Sequence, residues 1–304
     1  MGRGRAVLIA LFASLAASGW PAGATEPQAI YRHVSRGPVP VNSFMVETGQ
    51  EVVLIDAQAQ LSEAAIVAKT IQGLGKPLAA IILTQGQPSQ YGGLPALLEA
   101  YPRALVYATD ETAQDMAVDS MGLMVALRRA LPDDTADFIP APSRRLADGD
   151  VLTFTDVRFE IIGIGGGEAR DMVMVYLPEA NRLFAGDLVS NGMTPFMGAG
   201  QSGNWLRQLE SVRDRFGDRA PMLFPTHGQP GAFAPLIRDQ MAHLLLFRRI
   251  VTRNLPEGTL SPEGVANIAR AHERLYPDYP PTIVLNDWMG TNIRAVSAEL
   301  RAGG

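Results

Sequence analysis

Residues 79–100 read AAIILTQGQPSQYGGLPALLEA. The first part, 79–83, is a short apolar run of the kind that forms a strand buried on both faces. Residues 84–91 are polar, and after Gly92-Gly93 the apolar residues Leu94, Leu97 and Leu98 recur at helical spacing. A strand passing through a polar loop into a helix is where α/β proteins place their chemistry, because rigid elements hold the loop on both sides. The polar side chains of this loop are therefore the first candidates for a site.

Outward from it, the pattern is that of a layered α/β domain. Upstream, apolar runs at 41–46 and 52–55 flank Glu47-Thr48-Gly49-Gln50, a hairpin signal, and the second run ends at Asp56. Residues 25–40 read as a Pro-containing lead-in with no strand assigned to it. Residues 62–74 read as a helix, with Ser62 a candidate N-cap and Gly75 just past the end. Downstream come a strand at 104–108 and a helix from 109 to about 118, with Asp110 and Glu111 suited to its N-terminus. Residues 119–145 read as a short helix and a loop, and Met116, Met121 and Met124 as core filling.

Paired strands at 151–154 and 157–162 follow an Asp148-Gly149-Asp150 turn. The GIGGG run at 163–167 is not followed by a helix and so does not read as a nucleotide loop. A strand at 172–177, a turn and a strand at 182–185 lead to Gly186-Asp187. A helix at 204–216 and a strand at 221–224 precede Pro225-Thr226-His227-Gly228. The remainder reads as helices at 233–253, 261–275 and 292–301, with a turn at 278–281.

The chain has 304 residues, 47% hydrophobic and 19% charged, with a formal net charge of −5: the balance of a globular protein with a real core. The mild acidity and the lack of a basic cluster argue against nucleic acid as a partner. Residues 1–24 read as a secretory signal, with Arg3 and Arg5 before an apolar run at 6–17 and the small-x-small Ala22-Gly23-Ala24. That run is too short to span a bilayer. The expectation is an exported protein, periplasmic or secreted, with no membrane attachment after cleavage. No cysteine is present, so disulfides and thiolate metal ligands are excluded.

Residues 84–93 resemble the T-H-x-H-x-D-H-x-G-G signature of the metallo-β-lactamase superfamily. Thr84, Gly92 and Gly93 fit its frame, with Tyr91 at the variable position. At the four ligand positions stand Gln85, Gln87, Ser89 and Gln90. A second resemblance covers residues 175–189, VYLPEANRLFAGDLV, and implies that Asp187 stands where the family's aspartate bridges two metals. VVLIDA at 52–57 resembles the family strand whose aspartate, here Asp56, supports the metal loop; a strand-end aspartate capping a turn is the other reading. His227 is similar to the last metal ligand. Glu168 resembles the glutamate that replaces a histidine in the alkylsulfatase branch, to which Tyr91-Gly92-Gly93 is also similar.

The resemblance implies an αββα sandwich, two mixed sheets face to face with helices outside, over residues 25–230. The helices of 231–304 would pack on the same domain as a C-terminal appendage. In the family, zinc makes hydroxide at neutral pH and polarises the scissile bond. Imidazole and carboxylate hold zinc, whereas a Gln amide oxygen is neutral and hard, and an un-ionised Ser is a poor ligand. Only four histidines are present, His33, His227, His243 and His272. The expectation is no dinuclear zinc and at most one weakly held divalent metal at Glu168, Asp187 and His227.

Three functions remain open: a pseudo-hydrolase that binds a small polar ligand or a periplasmic protein, an ester or sulfate-ester hydrolase with a mononuclear site, and an inert structural protein. Export has a direct check. Mass spectrometry of periplasmic material should give a mature chain beginning near Thr25, and recovery only from cytosol with residues 1–24 intact would refute it.

Overall fold

The computed structural model describes residues 23–36, 40–255, 260–279 and 287–303. Nearly all of the expected leader, and Pro280-Pro281 of the expected turn, lie outside the described residues. In chain order the first half holds β1 (Ala29–Val34), β2 (Asn42–Glu47), β3 (Val52–Ile55), α1 (Leu61–Gly73), β4 (Leu78–Ile82), α2 (Pro88–Tyr91), α3 (Leu94–Ala100) and β5 (Leu105–Ala108). It closes with α4 (Asp110–Val118), α5 (Leu123–Ala130) and the two-residue β6 (Arg144–Arg145). The second half holds β7 (Val151–Phe154), β8 (Val157–Gly163), β9 (Val173–Leu177), β10 (Arg182–Ser190), α6 (Ser202–Phe216), β11 (Met222–His227) and β12 (Gly231–Ala232). The helices α7 (Phe233–Arg253), α8 (Pro262–Glu273) and α9 (Trp288–Arg301) end it.

Each half contributes one six-stranded sheet, ordered β1-β2-β3-β4-β5-β6 and β12-β11-β10-β9-β8-β7. Both are mixed: β3, β4, β5 and β6 run parallel, as do β10 and β11, while the remaining neighbours are antiparallel. The central strands alternate between two cores, as a period of two requires. Val53, Ile55, Ala80 and Ile82 face Phe159, Ile161, Val173, Val175 and Phe184 between the sheets. Val52, Leu54, Ile81 and Leu83 face α1 and α3 on the outside. Met174 and Tyr176 face α6 and α7 on the other outside. The architecture is therefore an αββα sandwich with C-terminal helices packed on the second sheet.

Four sequence expectations need correction. The lead-in contains β1, paired with β2 through Tyr31 and Met45; its residues are half-buried at a sheet edge, so its apolar signal is weak. Ser62 does not cap α1. The helix starts at Leu61, and Asp134 from a distant turn accepts from the Ser62 amide at 2.7 Å and its hydroxyl at 2.6 Å. The strand expected to stop at Ala185 continues as β10 to Ser190, and the loop expected at 225–228 is strand as far as His227. Both extensions follow from the parallel pairing of β10 with β11, in which Gly186 opposes Pro225 and Ser190 opposes His227.

The appendage is tied to the sandwich by polar contacts as well as by its apolar face. Glu299 of α9 accepts from the amides of Ser202 and Gly203 and from the Ser202 hydroxyl, and so serves as the N-terminal cap of α6. Arg248 of α7 donates to the same carboxylate at 2.9 Å. Asn292 accepts from the Met197 amide and donates to the Pro195 carbonyl.

Between α7 and α8, His243 and His272 face each other with their Nε2 atoms 3.0 Å apart, both buried, and Tyr276 is stacked on His243. One N–H donates to one lone pair, so a further proton has no acceptor there. Burial, then the neighbouring His272, pushes His243 down to about 3, and burial pushes His272 down to about 4. The unfolded chain takes up these protons near pH 6.5 and the folded chain does not, so the pair favours unfolding as pH falls from about 6.5 to about 4. In thermal melts across that range, Tm should fall more steeply for the wild type than for a His243→Gln/His272→Gln variant. Equal slopes would refute the assignment.

Candidate functional site

The site forms where the ends of β3, β4 and β11 meet the middle of β10. The carboxyl ends of β3 and β4 bring Asp56 and Thr84 from the first sheet, and β10 and β11 bring Asp187 and His227 from the second. The organising loop crosses between them: Gln85 pairs with Met172 as an isolated bridge, and the Val173 amide donates to the Thr84 carbonyl at 2.9 Å. Backbone pairing thus fixes Gln85 against the second sheet. The double glycine at the loop's end has a packing reason. A Cβ on Gly93 would stand 2.2 Å from the Ala57 carbonyl oxygen, and one on Gly92 2.2 Å from that of Ala59.

Asp56 lies at φ 60°, in the left-handed region that aspartate tolerates better than most residues. It accepts from the Thr84 amide at 2.9 Å, the Thr84 hydroxyl at 2.8 Å and the Thr226 hydroxyl at 3.4 Å. Of the two readings of Asp56, the contacts are those of a buried support for the loop. Thr226, on which the sequence reading placed no weight, lies between Asp56 and Gln90, whose amide approaches it at 3.5 Å. Its place immediately before His227 was the available signal.

Asp187 is the centre. Gln85 Nε2 and Gln90 Nε2 both donate to Asp187 Oδ2 at 2.7 Å. Ser89 does not reach Asp187; its hydroxyl donates to Gln90 Oε1 at 2.6 Å and so holds the amide in that orientation. Gln87 donates to the Glu168 carbonyl at 3.4 Å. His227 Nδ1 stands 2.6 Å from the Pro40 carbonyl and must donate to it, which leaves Nε2 facing Asp187 Oδ1 at 3.6 Å, beyond hydrogen-bond length. The side-chain oxygens Gln85 Oε1, Glu168 Oε2 and Asp187 Oδ1 are buried without a hydrogen-bond partner.

Tyr91 stands apart from this group. It belongs to the apolar cluster around α1 and α3 and makes no hydrogen bond with the site residues above. The structure places it in the apolar core beneath the loop. The structure thus gathers Gln85, Gln90, Glu168, Asp187 and His227, attaches Gln87 and Ser89 through their neighbours, and turns Tyr91 inward.

Three buried carboxyl groups share this small volume. Burial pushes Asp56 up to about 8 against the lowering effect of the Thr84 contacts. Burial raises Glu168 well above its ordinary value, with the Asp187 charge adding to it and the Phe196 amide opposing. Burial raises Asp187 too, while His227 and the Gln90 amide draw it back down. Neighbouring carboxyls in low dielectric favour keeping a proton among them.

The donor set does not fit a zinc pair. At the position of the family's bridging carboxylate, Asp187 Oδ2 meets two amide N–H groups, which have no lone pair for a metal. His227 is the one imidazole of the group. Among the described residues, no group of three or more His, Cys, Asp or Glu side chains is arranged to hold a metal ion.

An αββα sandwich with a polar loop at the ends of β4, β10 and β11 defines the class of fold used by metal-dependent hydrolases. The family model described as the metallo-β-lactamase superfamily matches residues 36–227, and the chain belongs to that superfamily. Among solved structures, a β-lactamase domain protein from Burkholderia ambifaria is similar over 94% of this chain and 92% of its own, at TM-score 0.69 and 17% identity. A metallo-β-lactamase family protein from Thermus thermophilus is similar over 90% and 94%, at TM-score 0.66 and 19% identity. A metallo-β-lactamase from Pontibacter korlensis covers 73% of this chain and 98% of its own, at TM-score 0.60 and 20% identity. These likenesses speak to the fold. The uncharacterized protein YobT of Bacillus subtilis is 38% identical over 71 residues; the match covers 23% of this chain and 30% of that relative's length.

The two amides on Asp187 have a measurable weight. Gln90→Leu keeps approximate volume, removes one donor from a buried carboxylate and leaves the Ser89 hydroxyl without its acceptor. Losing such a partner costs about 1–3 kcal/mol. Denaturant unfolding should show that loss, and an unchanged midpoint would mean that the amide does not support Asp187.

Proposed function

We propose that this chain is an exported pseudo-hydrolase of the metallo-β-lactamase superfamily, with the alkylsulfatase-like branch as its nearest affinity. Its zinc-binding loop has degenerated to Gln85-Gly86-Gln87-Pro88-Ser89-Gln90, and the protein acts by binding a small polar ligand or a periplasmic partner. The observation that carries this reading is the pair of 2.7 Å bonds from Gln85 and Gln90 to a single oxygen of Asp187. Where the family's resemblance implies metal, two neutral amides solvate the carboxylate. The replacement is coherent: Ser89 orients Gln90, Gln85 is pinned by strand pairing, and Thr226 bridges toward Asp56. A surface that had merely decayed would have no reason to keep these groups buried and mutually bonded, since buried polar groups are costly unless paired.

The test is elemental analysis of protein purified without chelator or histidine tag. The expected result is less than about half an equivalent of zinc per chain, because amide and hydroxyl side chains are poor zinc donors. Two tightly held zinc ions would overturn the reading. In parallel, Gln85→His, Gln87→His, Ser89→Asp and Gln90→His together should restore metal uptake ahead of hydrolysis. Displacement of catalytic groups by about an ångström costs on the order of a hundredfold in rate.

A further inference from the structure

We propose that the cleft between the C-terminal turns of α7 and α8 binds a small organic phosphate, a phosphate monoester with an apolar body. The cleft shares no residue with the Asp187 site and does not rest on the binding role proposed for it. Its volume is about 440 Å³, within the range of roughly 300–1,000 Å³ typical of small-molecule sites. Arg249, Arg253 and Arg274 line it together with Leu246, Ile250 and Leu275. Among the described residues lining it there is no aspartate or glutamate; Glu273, the neighbour of Arg274 in sequence, is not one of them. The three arginines are scattered along the chain, and the packing of α8 on α7 gathers them.

None of the described residues gives these three guanidinium groups a hydrogen bond or an ion pair. Arg213, Arg238 and Arg294, also on exposed helix faces, each hold a carboxylate, at 3.2, 2.8 and 2.6 Å. Arg249 and Arg253 stand four apart on α7, a spacing at which like charges repel along one face. The helix dipole favours a cation at a C-terminus, which accounts for Arg253 in the last turn of α7 and for Arg274 at the cap of α8. It does not account for Arg249, one turn further in and in the same cleft. An anion held there would supply the missing charge. A guanidinium offers its N–H donors in a fixed fork that fits carboxylate or phosphate. A carboxylate has one charge and two oxygens, enough for one fork. A phosphate monoester carries close to two charges and has three acceptor oxygens, which suits three arginines. A water molecule takes up about 30 Å³, so a phosphate group alone would leave most of the cleft unfilled. Leu246, Ile250 and Leu275 line that remaining space, and the body of the ligand is therefore apolar.

The experiment is titration calorimetry of the intact mature protein at constant ionic strength. The probes are phenyl phosphate, inorganic phosphate and benzoate. Phenyl phosphate should bind saturably, and about tenfold more tightly than either of the others, because only it offers both the third oxygen and the apolar body. Arg249→Gln, Arg253→Gln and Arg274→Gln should each weaken phenyl phosphate by about tenfold. Arg213→Gln removes the same charge from α6, outside the cleft, and should leave binding as it is. The substituted side chains are exposed, so circular dichroism should show all four variants folded. Absence of saturable binding at millimolar phenyl phosphate would overturn the proposal. So would equal binding of benzoate or inorganic phosphate, binding that survives Arg249→Gln, or an equal loss in Arg213→Gln, which would mark a net-charge effect. Sedimentation with phosphatidylcholine vesicles containing phosphatidic acid, where phenyl phosphate fails, would assign the arginines to a membrane surface and overturn the small-molecule site.

Discussion

Asp187 Oδ2, held between two glutamine amides, is the contact on which the arrangement of the site depends. It joins the two halves of the molecule, because Gln85 and Gln90 come from the loop after β4 and Asp187 from the middle of β10. A carboxylate buried without partners would be strongly unfavourable, and neither sheet alone could satisfy it. The sheets meet over Val53, Ile55, Ile82, Val175 and Phe184, and that apolar contact supplies the driving force. The amide–carboxylate contact adds registration: it sets where the end of one sheet stands relative to the end of the other.

Placing amides around this carboxylate alters the chemistry that the same scaffold presents. A metal ion would draw the carboxylates together and neutralise them. Amides draw on one oxygen of Asp187 without neutralising it, and burial raises the proton affinity of Asp187 and of Glu168 beside it. Fold membership and site chemistry therefore point in different directions here, as they do wherever function resides in side chains grafted on a common frame.

Much of the fold was legible because the central strands are buried on both faces. Residues 79–83 and 172–177 are near-continuous apolar runs, and these survive in any single sequence as strand signals. Gln85 and His227 stood out as candidates because each stands at the end of a strand, whereas Gln90 and Asp187 stood out through the resemblance. What failed to show was whatever depends on distant partners. β1 is an edge strand with mixed residues, the cap of α1 is supplied by Asp134 more than seventy positions away, and Tyr91 is turned inward by packing against α1 and α3. The role of Pro40 left no signal, since it acts through a backbone carbonyl that every residue possesses.

The cap that Glu299 provides bears on the order in which the molecule is assembled. The N-terminus of α6 is capped by a carboxylate that lies 97 positions beyond Ser202, and Arg248 binds the same group from α7. Chains are made from the N-terminus, so this helix reaches the ribosome exit long before its cap does. The outer layer of the second sheet is therefore unfinished until α9 has been made and Glu299 can close onto the start of α6.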